Sequence, residues 1–180
     1  MRIISGKYKG LTIPMPKGGD IRPTTDRAKE SLFNILQNRF EMTNCEVLDL
    51  FSGSGNMAFE FASQDCQLVI SVEKNRKITL QNIAFSMSKD IDVQFITMNV
   101  FSFLKQSKDT FDIIFADPPY HLEKMSELPK LIFRQKLLKK GGLLVIEHHS
   151  SFKWNETIPS EQRVYGQSVF SFFEFTEENK

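Results

Sequence analysis

The sequence predicts an α/β fold, a Rossmann-like and mostly parallel sheet with helices on both faces behind a short N-terminal hairpin and helix. Three observations predict it. Short apolar runs, "EVLDL", "LVISVE", "VQFIT", "FDIIFA" and "LLVIE", recur from residue 46 with amphipathic segments between them. These runs are near-continuous rather than alternating, as strands covered on both faces require. A glycine-rich turn joins the first run to the first of those segments, where a strand must turn sharply into a helix.

The elements follow in order. "RIIS" and "LTIP" are extended pieces that predict a hairpin, followed by the loop "MPKGGDIRP". Thr24, Thr25 and Asp26 supply N-cap oxygens for a helix from about Thr25, with Ala28, Leu32, Ile35, Leu36 and Phe40 on one face. "EVLDL" is the first strand, "NMAFEFAS" a helix and "LVISVE" the second strand. Leu80, Ile83, Ala84 and Met87 predict the apolar face of the next helix. "VQFIT" and "FDIIFA" are the third and fourth strands. Leu128, Leu131, Ile132 and Leu138 mark a helix closed by Lys139-Lys140 and stopped by Gly141-Gly142. "LLVIE" is the fifth strand, and "RVYGQSVFSFFEFT" reads as two strands joined near Gly166.

With 180 residues, 41% hydrophobic and 25% charged, the chain is expected to be one domain (1–180) and ordinary in composition for a globular protein. Residues 1–40 form a basic hairpin-and-helix extension, and 41–180 the core. No apolar run approaches the roughly 18 residues of a membrane span, and "MRIISGKYKG" lacks a signal-peptide core, so a cytoplasmic location without membrane contact is expected. Cys45 and Cys66 have neither CxxC spacing nor a histidine cluster, which makes them reduced thiols and predicts no metal. The net charge is +1, yet residues 1–40 hold eight Lys/Arg (Lys29 among them) against three acids. That distribution is the footprint of an edge facing a polyanion, with Lys7, Lys9, Arg22 and Arg27 as its candidate contacts.

Ligands of such sheets bind beyond the carboxyl ends of the strands. Asp49, Glu73 and Asp117 stand at three of those ends, so the motifs converge on one rim. Gly53-x-Gly55-x-x-Ala58 satisfies the dinucleotide fingerprint, and Glu73, 20 residues on, can hold two ribose hydroxyls. Both NAD and S-adenosylmethionine make those demands. Asp49 favours the second, because a carboxylate there receives an ammonium and repels a pyrophosphate. The chain also has no room for a dehydrogenase's second domain. Asn99, just past the third strand, either meets an adenine edge or forms a turn.

"FDIIFADPPYHLEK" ends a buried strand in an acid, two prolines and a tyrosine. A planar exocyclic amine is a poor nucleophile, and two acceptors facing its hydrogens favour rehybridisation toward a methyl donor. Asp117 supplies one acceptor. The Pro118 carbonyl supplies the other, held extended by Pro119. Tyr120 offers a face on which an extruded base can stack, a contact of roughly 1–3 kcal/mol. The proton released afterwards goes to Asp117 or to solvent.

Together, "VLDLFSGSG", "VEKN" and "DPPY" resemble class I S-adenosylmethionine-dependent methyltransferases that act on exocyclic amines. "MRIISGKYKG" with "RPTTDRAKESLFNIL" resembles the RsmD family, which methylates guanine N2 in small-subunit (16S) ribosomal RNA. The motifs run in family order from residue 1 to about residue 147. The resemblance implies a seven-stranded sheet with its last strand antiparallel. It also implies S-adenosylmethionine as cofactor, with S-adenosylhomocysteine as product, on Asp49, Phe51, Gly53, Gly55, Glu73, Asn99 and Thr25. The target amine falls to Asp117, Pro118, Pro119 and Tyr120, and closure of the site to Arg22, Thr24, Thr25 and Arg27. The implied partner is 16S ribosomal RNA, free or within the 30S subunit or an assembly intermediate, met by a monomer. Asn99 stands where the family would often show Asp, and Asn56 where alanine is expected.

Other readings predict different observations. A DNA adenine-N6 methyltransferase shares the amine chemistry but usually carries a target-recognition domain. A non-catalytic binding module has no need of two acceptors around an amine. A nicotinamide oxidoreductase would retain NAD. His148 and His149, adjacent on a strand end, point to opposite faces and make a poor chelating pair. Lys74 and Arg76 either border the cofactor pocket or, by default, are solvated helix-start residues, and Phe170, Phe172, Phe173 and Phe175 read as core.

Overall fold

A computed structural model describes residues 1–15 and 25–174. Seven strands form one sheet in the order β3-β2-β1-β4-β5-β7-β6. They are β1 (Glu46–Leu50), β2 (Leu68–Glu73), β3 (Gln94–Thr97), β4 (Phe111–Ala116), β5 (Leu138–His149), β6 (Glu161–Tyr165) and β7 (Ser168–Glu174). Strands β1 to β5 pair in parallel, while β7 lies antiparallel between β5 and β6. The helices are α1 (Asp26–Arg39), α2 (Asn56–Ser63), α3 (Arg76–Lys89), α4 (Val100–Gln106) and α5 (Glu127–Arg134). The expected fold class, with its antiparallel last strand, is the one observed.

Side-chain alternation along the strands sorts the core into two layers. Val47, Ile113, Phe115 and Val145 pack with α1, α2 and the N-terminal hairpin on one face, where Phe85 of α3 also packs. Leu48, Leu50, Ile114, Ala116 and Ile146 meet α4 and α5 on the other. Asp49 and Asp117 follow the parity of Val47 and Phe115, so both carboxylates belong to the first face, at the point where the strand order reverses. The hairpin is minimal: Arg2 and Thr12 bridge, and Ile3 and Ile13 are buried under it. Among the described residues no helix is long and apolar enough to cross a membrane.

Three elements differ from the sequence expectation. The face of α3 is inverted: Thr79, Asn82 and Ser86 are buried, whereas Leu80 and Met87 are 54% and 79% exposed. Asn82 is drawn inward because its amide donates to the Gly53 carbonyl at 2.8 Å. Helix α5 ends at Arg134, seven residues before the expected stop at Gly141. Lys136 takes the left-handed conformation (φ 55°) that closes it, with Leu137 N–H on the Ile132 carbonyl and Lys136 N–H on that of Phe133. Leu138, Lys139 and Lys140 therefore begin β5, and Gly141 (φ 78°) and Gly142 form an irregularity within it. Helix α4 was not expected; Asn99 caps it, accepting the Phe101 and Ser102 N–H groups.

Lys29, counted among the surface cations, lies in the core. Its ammonium stands 2.8 Å from the Glu60 carboxylate, with both side chains almost wholly buried. Glu60 also accepts the Ile4 and Ser5 N–H groups and the Ser5 hydroxyl. The pair thus ties α1, α2 and the hairpin together, as a buried charge must be paired and hydrogen-bonded.

Candidate active site

The carboxyl ends of β1, β2 and β4 open onto a cavity of about 420 Å³. Asp49, Phe51, Gly53, Glu73, Asn99, Asp117, Pro118, Pro119 and Tyr120 all line it. Sequence-distant residues therefore meet at one wall, as expected of the ends of neighbouring parallel strands.

The glycine loop is shaped from within. Phe51 adopts φ 59°, a left-handed conformation that costs a non-glycine residue about 1–2 kcal/mol. Its ring meets Phe101 edge-on, with centroids 6.5 Å apart, at the cavity wall. Gly53 (φ 50°) faces open space, so a side chain there would be strained and would enter the cavity. Gly55 (φ 74°) has another function: an added Cβ would stand 2.8 Å from the Phe59 ring. The bare backbone at Gly55 thus lets the turn pack closely onto Phe59 of α2.

The acids are set differently. Asp49 is 1% exposed and accepts the Ala58 N–H at 3.1 Å. Burial pushes it well above the usual carboxylate range, the Ala58 hydrogen bond opposes this, and Glu73 adds to it. Such a carboxylate is poised to receive a cationic group. Glu73 accepts the Gly53 N–H (3.1 Å) and the Asn75 N–H (2.8 Å), which fixes its head at the mouth of the loop. Asp117 is half-buried at the wall. Desolvation, then the Glu147 and Asp49 carboxylates, raise it well above the ordinary value. Sequence reasoning missed Glu147, which is 3% exposed, one step beyond the Ala116–Ile146 register pair. The acid closing "LLVIE" was its only signal.

The Pro-Pro loop turns back at once, since the Pro119 carbonyl accepts the Leu122 N–H at 2.8 Å. Tyr120 is 37% exposed, and its ring meets His149 edge-on with centroids 5.3 Å apart. His149 in turn holds Ser151 through Nδ1. His148 points inward instead, bonded to Ser171 and Trp154, and burial lowers its pKa. The two histidines diverge as expected. Met1, Ser54 and Asn56 also line the cavity, and no motif had singled out the first two.

Other expected site residues are not brought together with these. Thr25 does not line the cavity; its hydroxyl accepts the Ala28 N–H and caps α1. Arg27 is exposed on the first turn of α1. Lys7 and Lys9 are exposed, but Lys7 N–H binds the Ser63 carbonyl at the last residue of α2, whose first residues line the cavity. An eight-residue helix puts the two ends about 10 Å apart. Arg22 and Thr24 lie outside the described residues, as does Phe175. The cysteines are free thiols, Cys45 pushed to about 11 and Cys66 to about 12, mainly by burial.

Comparison with known proteins identifies the family and the fold. The family model described as "Conserved hypothetical protein 95", the RsmD family, matches residues 1–174. The chain belongs to this family. Ribosomal RNA small subunit methyltransferase D of Buchnera aphidicola is 32% identical over 163 residues, covering 89% of this chain and 82% of that protein. A hypothetical protein of Thermus thermophilus superposes with a TM-score of 0.87 at 26% identity, covering 97% of this chain and 99% of that one. The 16S rRNA N2 G1207 methyltransferase RsmC of T. thermophilus, solved with AdoMet and guanosine, shares the fold at 20% identity. Its TM-score is 0.68, with 84% of this chain and 43% of that one covered. The architecture is that of class I methyltransferases.

Proposed function

We propose that this chain transfers a methyl group from S-adenosylmethionine to the exocyclic N2 amine of a guanine in small-subunit ribosomal RNA, releasing S-adenosylhomocysteine. The observation that carries the reading is the convergence of Asp117-Pro118-Pro119-Tyr120, Asp49 and Glu73 on one cavity. The relatives' names support ribosomal RNA as the substrate class.

The residues fit the cofactor. Asp49 would take its ammonium and Glu73 its ribose hydroxyls, while Phe51 and Phe101 wall an apolar compartment for the adenine. The Asn99 oxygen is occupied by the α4 cap, which leaves its amide N–H for a base nitrogen. When bound, S-adenosylmethionine supplies an electrophilic methyl group. The chain's own residues orient the acceptor. Asp117 and the Pro118 carbonyl accept the two amine hydrogens, which points the nitrogen lone pair into the cavity. Tyr120, braced by His149, stacks the extruded base. The work is mainly orientation and electrostatics in a partly dry site. Raised by its surroundings, Asp117 can also hold the proton the amine releases.

RNA contact falls to Arg27, exposed on the first turn of α1, and to Arg22, which lies outside the described residues. Lys7 and Lys9 extend the positive field along the hairpin toward a distal stretch of backbone. Neutralising Lys7 and Lys9 should weaken RNA binding and make its salt dependence shallower; an unchanged slope would remove them from the interface.

The deciding experiment is methyl transfer from labelled cofactor to ribosomal RNA, free and assembled into small subunits, with mass-spectrometric identification of the nucleoside. N2-methylguanosine is expected. N6-methyladenosine would overturn the guanine assignment, and no transfer to either form would overturn the RNA assignment.

A further inference from the structure

The cavity wall holds an asparagine whose orientation the structure fixes. Asn56, the first residue of α2, is only 8% exposed and lines the cavity. Lys29 reaches it from α1, with Nζ 3.1 Å from Asn56 Oδ1. An ammonium only donates, so the amide atom facing it is the oxygen, and the NH2 is turned the other way. Lys29 has no freedom to swing aside. It is 1% exposed, and Nζ also meets the Glu60 carboxylate at 2.8 Å and the Arg2 carbonyl at 2.7 Å. Among the described residues the Asn56 amide nitrogen has no acceptor. Since none of their fully buried side-chain polar atoms lacks a partner, that nitrogen is open to the cavity.

The surroundings say what it would donate to. Asn56 sits in the first turn of α2, whose N–H groups and dipole favour a negative group. Asp49 lies against the same turn through the Ala58 N–H, and its buried carboxylate calls for a cation. A donor for an anion and an acceptor for a cation on one helical turn match the two charged groups of an α-amino acid.

We propose that Asn56, oriented by Lys29, binds the α-carboxylate of the methionine moiety of S-adenosylmethionine while Asp49 binds its ammonium. The inference rests on the cofactor reading above. Lys29 touches no ligand and is a positioning residue, its charge offset by Glu60.

The test is calorimetric binding of S-adenosylmethionine and of its decarboxylated analogue, which keeps the ammonium and the sulfonium, to the full chain. Asn56→Ala should weaken S-adenosylmethionine about 10-fold, the loss of one hydrogen bond to a charged group, and leave the analogue unchanged. Asn56→Asp should weaken it further, since a carboxylate then faces a carboxylate. Lys29→Met, made with Glu60→Gln so that no buried charge is stranded, should lose the same selectivity, with thermal melting confirming the fold. Equal loss for both ligands, or no loss, would overturn the assignment. If the unmodified chain bound neither ligand, the cofactor reading itself would fall and this inference with it. An indifferent Asn56→Ala beside a binding wild type would remove only the inference.

Discussion

The two ends of α2 use similar polar residues for opposite purposes. At its last turns Glu60 and Ser63 are saturated: Glu60 by Lys29, two backbone N–H groups and a hydroxyl, Ser63 by Ser5, Lys7 and Tyr8. At its first turn Asn56 and the neighbouring Asp49 each keep a polar atom turned toward the cavity. Satisfied polar groups hold the structure together, and groups left with capacity bind ligands. The same helix anchors the N-terminal hairpin at one end and forms the proposed cofactor site at the other.

The sharpest break in that comparison is at the cavity. Asp117→Ala should cut methyl transfer by roughly 10²–10³-fold while cofactor affinity changes little. Parallel loss of kcat and of cofactor binding would make Asp117 structural. At the saturated end, Glu60→Ala strands the Lys29 ammonium and should cost about 3–5 kcal/mol of stability, read as a lower denaturation midpoint. A smaller effect would show the hairpin to be loosely held.

A gentler test uses pH. Asp49 is raised in the folded chain, so its folded pKa lies above its unfolded one. The protonated acid adds no penalty below the unfolded value near 4, and the cost of the buried charge grows as pH rises through the folded value. Asp49→Asn should therefore raise the melting temperature near pH 8 and make little difference near pH 3, while weakening the cofactor. Destabilisation at both pH values would mean that the Ala58 contact outweighs burial. The smallest effect is expected on α3, where Met87→Gln should alter stability by no more than about 0.5 kcal/mol. A loss of about 2 kcal/mol or more would restore the apolar face read from the sequence.

Much of the site was legible because strand ends carry it. Asp49, Glu73 and Asp117 each follow an apolar run, and a parallel sheet delivers all such ends to one rim. Lys29 was misread because the sequence shows which groups a residue carries and not which neighbours claim them. A lysine counted among the surface cations meets a buried glutamate instead. The face of α3 failed for the same reason: Asn82 answers the Gly53 carbonyl across the loop, which outweighs the helical period of Leu80, Ala84 and Met87.

By itself, then, the sequence determined the α/β class, most strand positions, the glycine turn and the acids at the rim. These follow from local periodicity and turn chemistry, which act over a few residues. Tertiary structure alone decided the pairing of Lys29 with Glu60, the orientation of Asn56, and the distance of Lys7 and Lys9 from the cavity. Each depends on contacts between residues 27 to more than 50 positions apart, which only the packed fold brings within hydrogen-bonding reach.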